Sequence, residues 1–264
     1  MENIKVYLKF INNFLKETDK ILIKNFSTNL KVNYKIDESP VTKIDKLIEK
    51  KFRTKLKKDF PKHSVLGEEF NNKNNNSDFC WIVDPIDGTK SFVHGNHNFG
   101  TLICLAHRGI PIIGVISCPL LNKKWIGIKN KGAFLNGKKI KKNDFNLSLK
   151  NCVVSSSAFT AYKKGIRDNN FFYKLTNKIR YYIFGGDCVQ YGLLASGKIS
   201  NVIENNLKPW DYMALINIIE EAGGIITDWR GKKLTINSDG RVIASLSKKS
   251  HNELLKLVKT SNIH

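Results

Sequence analysis

Long apolar runs are missing from this chain of 264 residues: no segment reaches the roughly 18–20 apolar residues that carry a helix across a bilayer. The longest candidates are Phe99–Ala106 and Ile110–Leu121, and Pro111, Gly114 and Pro119 break the second. Asn12, Lys16 and Glu17 interrupt every apolar stretch near the start, so no signal peptide is expected. Cysteine is sparse. Its five positions (80, 104, 118, 152 and 188) are odd in number and contain no CxxC pair, which predicts free thiols in a reducing cytoplasm. Six histidines show no zinc spacing with them and read as surface or core residues. Arginine is scarce too, at six of 44 basic residues, and only 23 acidic residues oppose them, leaving a net charge of +21. Nucleic-acid readers concentrate Arg and Lys on one face and add stacking aromatics. The lysines here are scattered through every segment, including the turn-like Asn71–Ser77, as on ordinary solvated faces. A charge of this size can also steer anions, either polynucleotides or small phosphate esters, and does not by itself choose between them; no recognised nucleic-acid motif is present.

What is present is globular: 41% hydrophobic and 25% charged residues. Ile4, Leu8, Ile11, Leu15, Leu22 and Phe26 form one helical stripe. A second helix is predicted from Thr42 until Pro61 stops it. Short strands follow at His63–Gly67, Phe79–Asp84, Phe99–His107 and Ile112–Ser117, then a hairpin through Asn136-Gly137 between Gly132–Leu135 and Lys138–Ile140. The second half alternates. Strands are predicted at Cys152–Ser156, Tyr181–Phe184, Val202–Glu204, Ile225–Asp228 and Val242–Leu246. Helices are predicted to include Phe171–Ile179, to run from Cys188 to Ala195 and from Pro209 to Ala222, and to open last at a Ser250…Glu253 capping box. The pattern is a layered α/β chain, one domain over residues 1–264 whose halves (about 1–150 and 151–264) share an interface.

The few acidic residues fall where strands end or helices begin. Gly67-Glu68-Glu69 closes one strand, Trp81-Ile-Val-Asp-Pro-Ile-Asp-Gly-Thr89 delivers Asp84 and Asp87, and Trp210-Asp211 lies in a first helical turn. Clustered hard oxygen ligands on a basic protein suggest that cations hold them together, and Mg²⁺ suits carboxylate, carbonyl and water oxygens beside a substrate phosphate. Pro85 removes a backbone donor, Gly88 permits close approach, and Thr89 opens a helix whose first amides can cradle phosphate.

These three ordered motifs resemble the inositol monophosphatase family of Mg²⁺-dependent, lithium-sensitive phosphatases, over about residues 35 to 245. Ser39-Pro-Val-Thr42 with Asp45, Ser91-Phe92, Gly185-Gly-Asp-Cys188, Tyr191-Gly-Leu-Leu-Ala-Ser-Gly197 and Leu207-Lys-Pro-Trp-Asp211 are similar to its histidinol-phosphatase branch. The resemblance implies an α/β/α/β/α layered fold with mixed sheets, a homodimer, and a cluster of two or three Mg²⁺ ions. The implied ligands are Glu68, Asp84, the Ile86 carbonyl, Asp87 and Asp211. It also implies that Thr89 and Asp45, with Glu68 beside them, orient and deprotonate the attacking water, and that the Gly88 and Thr89 amides hold phosphate oxygens. Asp187 and Glu204, 24 and 7 residues before Asp211, fall where the family contacts the non-phosphate part of its substrate. A carboxylate at Asp187 favours a cationic substituent, such as the ammonium and imidazole of histidinol phosphate, over inositol 1-phosphate or other sugar and nucleotide phosphates.

Several of these residues have ordinary alternatives. Asp-Pro and Asp-Gly are turn formers anywhere, and Asp211 can simply complement a helix dipole. Thr42-x-x-Asp45 is itself a capping box, and Asp187 can cap the helix at Cys188. Lys90 either screens bound phosphate or is solvated; Glu69 fits a supporting role, and Trp210 fits the core.

Overall fold

The computed structural model describes residues 4–26, 28, 32–34, 40–70, 77–142, 145–157 and 166–261. Ser39, most of the turn at 71–77 and His264 lie outside the described residues.

Helix α1 (Ile4–Asn25) buries Tyr7, Phe10, Ile11, Phe14, Leu15 and Leu22, so aromatic residues widen the apolar stripe seen in the sequence. After a two-stranded ribbon of β1 (Val32–Tyr34) and β2 (Pro40–Thr42), helix α2 (Lys43–Asp59) starts at its Thr42 cap and ends at Phe60, just before Pro61.

A seven-stranded sheet follows: β3 (Ser64–Gly67), β4 (Phe79–Asp87), β5 (Gly100–His107), β6 (Ile110–Cys118), β7 (Lys123–Ile128), β8 (Gly132–Leu135) and β9 (Lys138–Lys139), paired in chain order. Only β3 and β4 run parallel within it. Asn136 and Gly137 both have positive φ, 49° and 79°, as a type I′ hairpin requires. The short helix α3 (Thr89–Val93) leaves this sheet after β4.

The second half contributes β10 (Val153–Ser156), α4 (Ile166–Thr176), β11 (Tyr181–Phe184), α5 (Asp187–Ala195), β12 (Asn201–Glu204), α6 (Pro209–Glu221), β13 (Ile225–Asp228), β14 (Val242–Ser245) and α7 (Lys248–Thr260). Its sheet runs β11-β10-β12-β14-β13, parallel at the first two pairings and antiparallel at the others.

Strand alternation sorts the side chains into three cores and so sets the layers. On β4, β5 and β6, Trp81, Val83, Ile103, Leu105, Ile113 and Val115 face α1 and α2. From the same strands Ile82, Leu102, Cys104 and Ile116 face the other way, into a core filled by α5, α6 and the inner face of the second sheet. Ile243 and Ile203 point outward from that second sheet to meet Phe171 and Leu175 of α4 and Leu254 and Val258 of α7. The order is α1/α2, seven-stranded sheet, α5/α6, five-stranded sheet, α4/α7: the expected α/β/α/β/α stack.

The apolar pattern predicts none of β1, β2 and β7; in β7, Lys123, Lys124 and Gly127 dilute the apolar positions. Two expectations need correction. Helix α4 stops at Thr176 rather than reaching Ile179. The last helix is not opened by a Ser250…Glu253 box. Its N-cap is Ser247, while Ser250 bonds Asn201 and Glu253 accepts the Leu149 amide at 2.6 Å, so tertiary partners took both side chains. All five cysteines are free thiols and four are buried.

Candidate active site

Asp84 and Asp87 both lie on β4, which continues past the point where the sequence pattern ended it. Asp84 and Asp87, three positions apart on β4, oppose Leu102 and Gly100, two apart on β5, so the strand carries a bulge between them. In a regular strand residues three apart point to opposite faces; the extra residue turns both carboxylates the same way. Pro85 sits in the bulge, its carbonyl accepting the Thr101 hydroxyl at 2.8 Å.

Asp211 comes from the first turn of α6 and accepts the Lys208 amide at 2.7 Å. Helix α6 can reach this point because two glycines let it lie directly on the sheet. A Cβ on Gly114 would stand 1.9 Å from the Ala214 carbonyl oxygen, and one on Gly127 would stand 2.3 Å from the Asn217 carbonyl carbon. One carboxylate oxygen each from Asp84, Asp87 and Asp211 lies within 4.8 Å of the others.

Among the described residues no ion pair neutralises this cluster: none involves Asp84, Asp87 or Asp211. Asp84 is 2% exposed; burial raises its pKa far above the ordinary range, and Glu68, Asp87 and Asp211 add repulsion. Burial likewise lifts Asp87, helped by Asp187 and Asp211, although the Cys188 amide donates to it at 2.6 Å. Asp211 is pushed up to about 7, chiefly by burial, with Glu68 and Glu204 adding to the rise. Packed carboxylates with no cation among them are unfavourable unless protonated or bound to metal. The donor set is hard oxygen, which fits Mg²⁺. Glu68, just beyond β3, stands outside the tight trio but within the field of Asp84, Asp211 and Asp45.

The Ile86 amide donates to Asp84 at 2.9 Å, and the Ile86 carbonyl accepts the Thr89 hydroxyl at 2.8 Å. Asp45 of α2 faces the same hydroxyl at 3.4 Å. Its other oxygen accepts the Thr42 amide at 2.8 Å and the Thr42 hydroxyl, closing the capping box. Both readings of Asp45 are thus compatible with one geometry. Burial raises its pKa against those bonds, with Glu68 adding to the rise.

Gly88 caps α3 in the left-handed region, φ 81°. A side chain there would meet the Asn98 carbonyl at 2.7 Å and the Asp187 carboxylate at 2.9 Å, so Asp187 lies against the Gly88-Thr89 turn. Asp187 does not cap its helix: Gly186 is the N-cap, and the Asp187 carboxylate accepts the Ser91 hydroxyl at 2.9 Å. Burial raises Asp187, while Ser91 and the exposed Lys90 hold the rise down. Glu204, at the end of β12, is buried, pushed up to about 7 by burial, and takes the Ser157 amide at 2.6 Å. Trp210 packs on the middle core as expected.

Sequence reasoning gave no role to Ser91, Ser157, Gln190 or Tyr191. Gln190 links Ser155 and Ser157, at 2.8 and 3.0 Å, and so braces the Glu204 side of the site. Ser91 and Tyr191 stood inside quoted motifs; Ser157 lay outside them, and its amide on Glu204 and its hydroxyl on Gln190 are set by tertiary neighbours.

The chain matches the inositol monophosphatase family over residues 4–262. It is 38% identical over 194 residues to the chloroplastic bifunctional phosphatase IMPL2 of Arabidopsis thaliana, a match spanning 71% of this chain and 54% of that relative. It is 33% identical over 186 residues to a histidinol-phosphatase of Chlorobaculum parvum, covering 70% of this chain and 71% of the relative. The solved structure of an IMPase/NADP phosphatase complexed with Mg²⁺ and phosphate superposes with a TM-score of 0.87 at 25% identity, over 98% of this chain and 96% of the other. The chain belongs to the inositol monophosphatase family, whose members are phosphoric monoester hydrolases.

Proposed function

We propose that this chain is a Mg²⁺-dependent phosphomonoesterase that hydrolyses histidinol phosphate to histidinol and phosphate. The observation that carries the reading is the cluster of Asp84, Asp87 and Asp211, one buried and two half-buried, in which no ion pair among the described residues takes part. Glu68, Asp84, the Ile86 carbonyl, Asp87 and Asp211 would hold two or three ions. When bound, the ions acidify water and neutralise charge on the phosphoryl group and the leaving alkoxide.

The chain's own residues do the remaining work. The Gly88-Thr89 turn presents backbone amides to the phosphate, and Gly88, left-handed and without a side chain, lets that turn pack against Asn98 and Asp187. Thr89 orients the attacking water and passes its proton toward Asp45, whose carboxyl, lifted by burial, is a stronger base than a solvated one. The 3.4 Å separation of Thr89 and Asp45 is long for a hydrogen bond and closes as the substrate seats. Attack is in line, with the alkoxide leaving opposite the water.

Asp187 and Glu204 support the choice of alcohol. Asp187, against the phosphate turn, and Glu204, in the field of Asp187, offer charge-assisted hydrogen bonds to an ammonium and an imidazolium, whereas inositol brings only hydroxyls. The name of the Chlorobaculum parvum relative agrees with this choice. The cytoplasmic homodimer implied by the resemblance is part of the same proposal. The test is kcat/KM on L-histidinol phosphate against inositol 1-phosphate with Mg²⁺ present. We expect preference for histidinol phosphate by at least about tenfold, the worth of one good charge-assisted bond; equal or reversed preference defeats the substrate assignment.

A further inference from the structure

Tyr191 is 1% exposed, and its hydroxyl finds no well-formed hydrogen bond among the described residues. A buried polar atom without a partner is rare, and one beside a functional site calls for a partner that arrives later. Other such atoms belong to Tyr7, Ser156, Asn201, Asn217 and Ser261. The Tyr191 hydroxyl stands in the field of Glu204, Asp87 and Asp211, with Glu204 the strongest of the three and within loose hydrogen-bonding reach, short of a well-formed bond. Asp187 and Tyr191 are four residues apart on α5, so one face of that helix offers both. Among the described residues Glu204 is braced by the Ser157 amide, with the Ser155–Gln190–Ser157 chain behind it.

We infer that Tyr191 is a specificity-determining positioning residue: on substrate binding its hydroxyl closes onto Glu204 and fixes that carboxylate toward a cationic substituent of the alcohol. This rests on the phosphatase reading above and adds a residue to it. A phenol keeps its proton at neutral pH, and one as buried as Tyr191 does so too, so the group acts as donor. Without substrate the pair is left imperfect, a cost in stability kept where binding needs it.

The experiment compares wild type, Tyr191→Phe, Glu204→Gln and the double variant on L-histidinol phosphate and inositol 1-phosphate, with melting temperatures measured without metal or substrate. Tyr191→Phe removes only the hydroxyl. We expect KM for histidinol phosphate to rise about tenfold with kcat within about twofold, the loss of one hydrogen bond to a charged group. The metal-free melting temperature should stay the same or rise, since an unpaired hydroxyl has gone. On the Glu204→Gln background, Tyr191→Phe should add nothing further to KM. A purely structural role predicts the reverse: a lower melting temperature with KM unmoved, or losses that add to those of Glu204→Gln; either result overturns the inference. A wild type that prefers inositol 1-phosphate defeats the substrate assignment alone, because coupling between Tyr191 and Glu204 is still readable on whichever ester turns over.

Discussion

Asp45 shows how one side chain serves two ends. One oxygen caps α2 through Thr42 and the other faces Thr89, so the capping box visible in the sequence and the proposed proton acceptor are the same carboxylate. Asp45→Asn separates the jobs. The amide oxygen can still accept from Thr42, so stability should change by less than about 1 kcal/mol. The amide cannot take a proton, so kcat should fall on the order of a hundredfold or more. Turnover close to wild type would remove Asp45 from the proton path. At this scale the sequence was legible in its acidic motifs: Asp84, Asp87 and Asp211 are brought together, with Glu68 close by. It was silent on Ser157 and Gln190, which reach Glu204 and its surroundings only through the fold. It also left Asp187 open between cap and pocket, because the choice depends on Ser91, 96 positions away.

The elements carry those residues to one point, and the least tolerant contact is that of α6 with the sheet. Gly114→Ala would drive a methyl into the Ala214 carbonyl, a backbone atom with no rotamer to change. The helix would have to lift, and Asp211 with it. We expect a loss of about 3 kcal/mol or more, roughly 6–12 °C in Tm, together with weaker Mg²⁺ binding. A Tm within about 2 °C of wild type in thermal denaturation would show that α6 is not seated as described. Element existence followed closely from apolar spacing and from Pro and Gly punctuation: α1, α2, the Asn136-Gly137 hairpin and the alternating second half all stand. What periodicity missed lies in tertiary pairing. The bulge that aligns Asp84 with Asp87 needs β5 opposite it, and Ser250 and Glu253, a plausible cap locally, are bound by Asn201 and Leu149 instead.

At the scale of the whole molecule, a chain of net charge +21 keeps its densest negative charge in the interior, between the two sheets' connecting helices and the end of β4. That arrangement sets the sign of its pH response. Asp211 is raised to about 7 by burial, Lys208's amide opposing and Glu68 adding to the rise. Its contribution to metal-free stability is therefore full below its unfolded value near 4 and is lost as pH climbs through about 7. His251 runs the other way. Burial lowers it to about 4, so its contribution is lost as pH falls from about 6.5 toward 4. Protons and Mg²⁺ compete for the carboxylates but not for His251, which is held by Thr227 and Ser245 away from the cluster. The difference in Tm with and without Mg²⁺ consequently isolates the cluster. The direct measurement is that difference at pH 6 and pH 8, for wild type and Asp84→Asn. The account predicts a Mg²⁺-induced rise that is larger at pH 8 than at pH 6 in wild type, and that is nearly absent in Asp84→Asn, whose metal-free Tm is equal or higher. A wild-type Tm indifferent to Mg²⁺ at both pH values, or a Mg²⁺ shift that survives intact in Asp84→Asn, would contradict it.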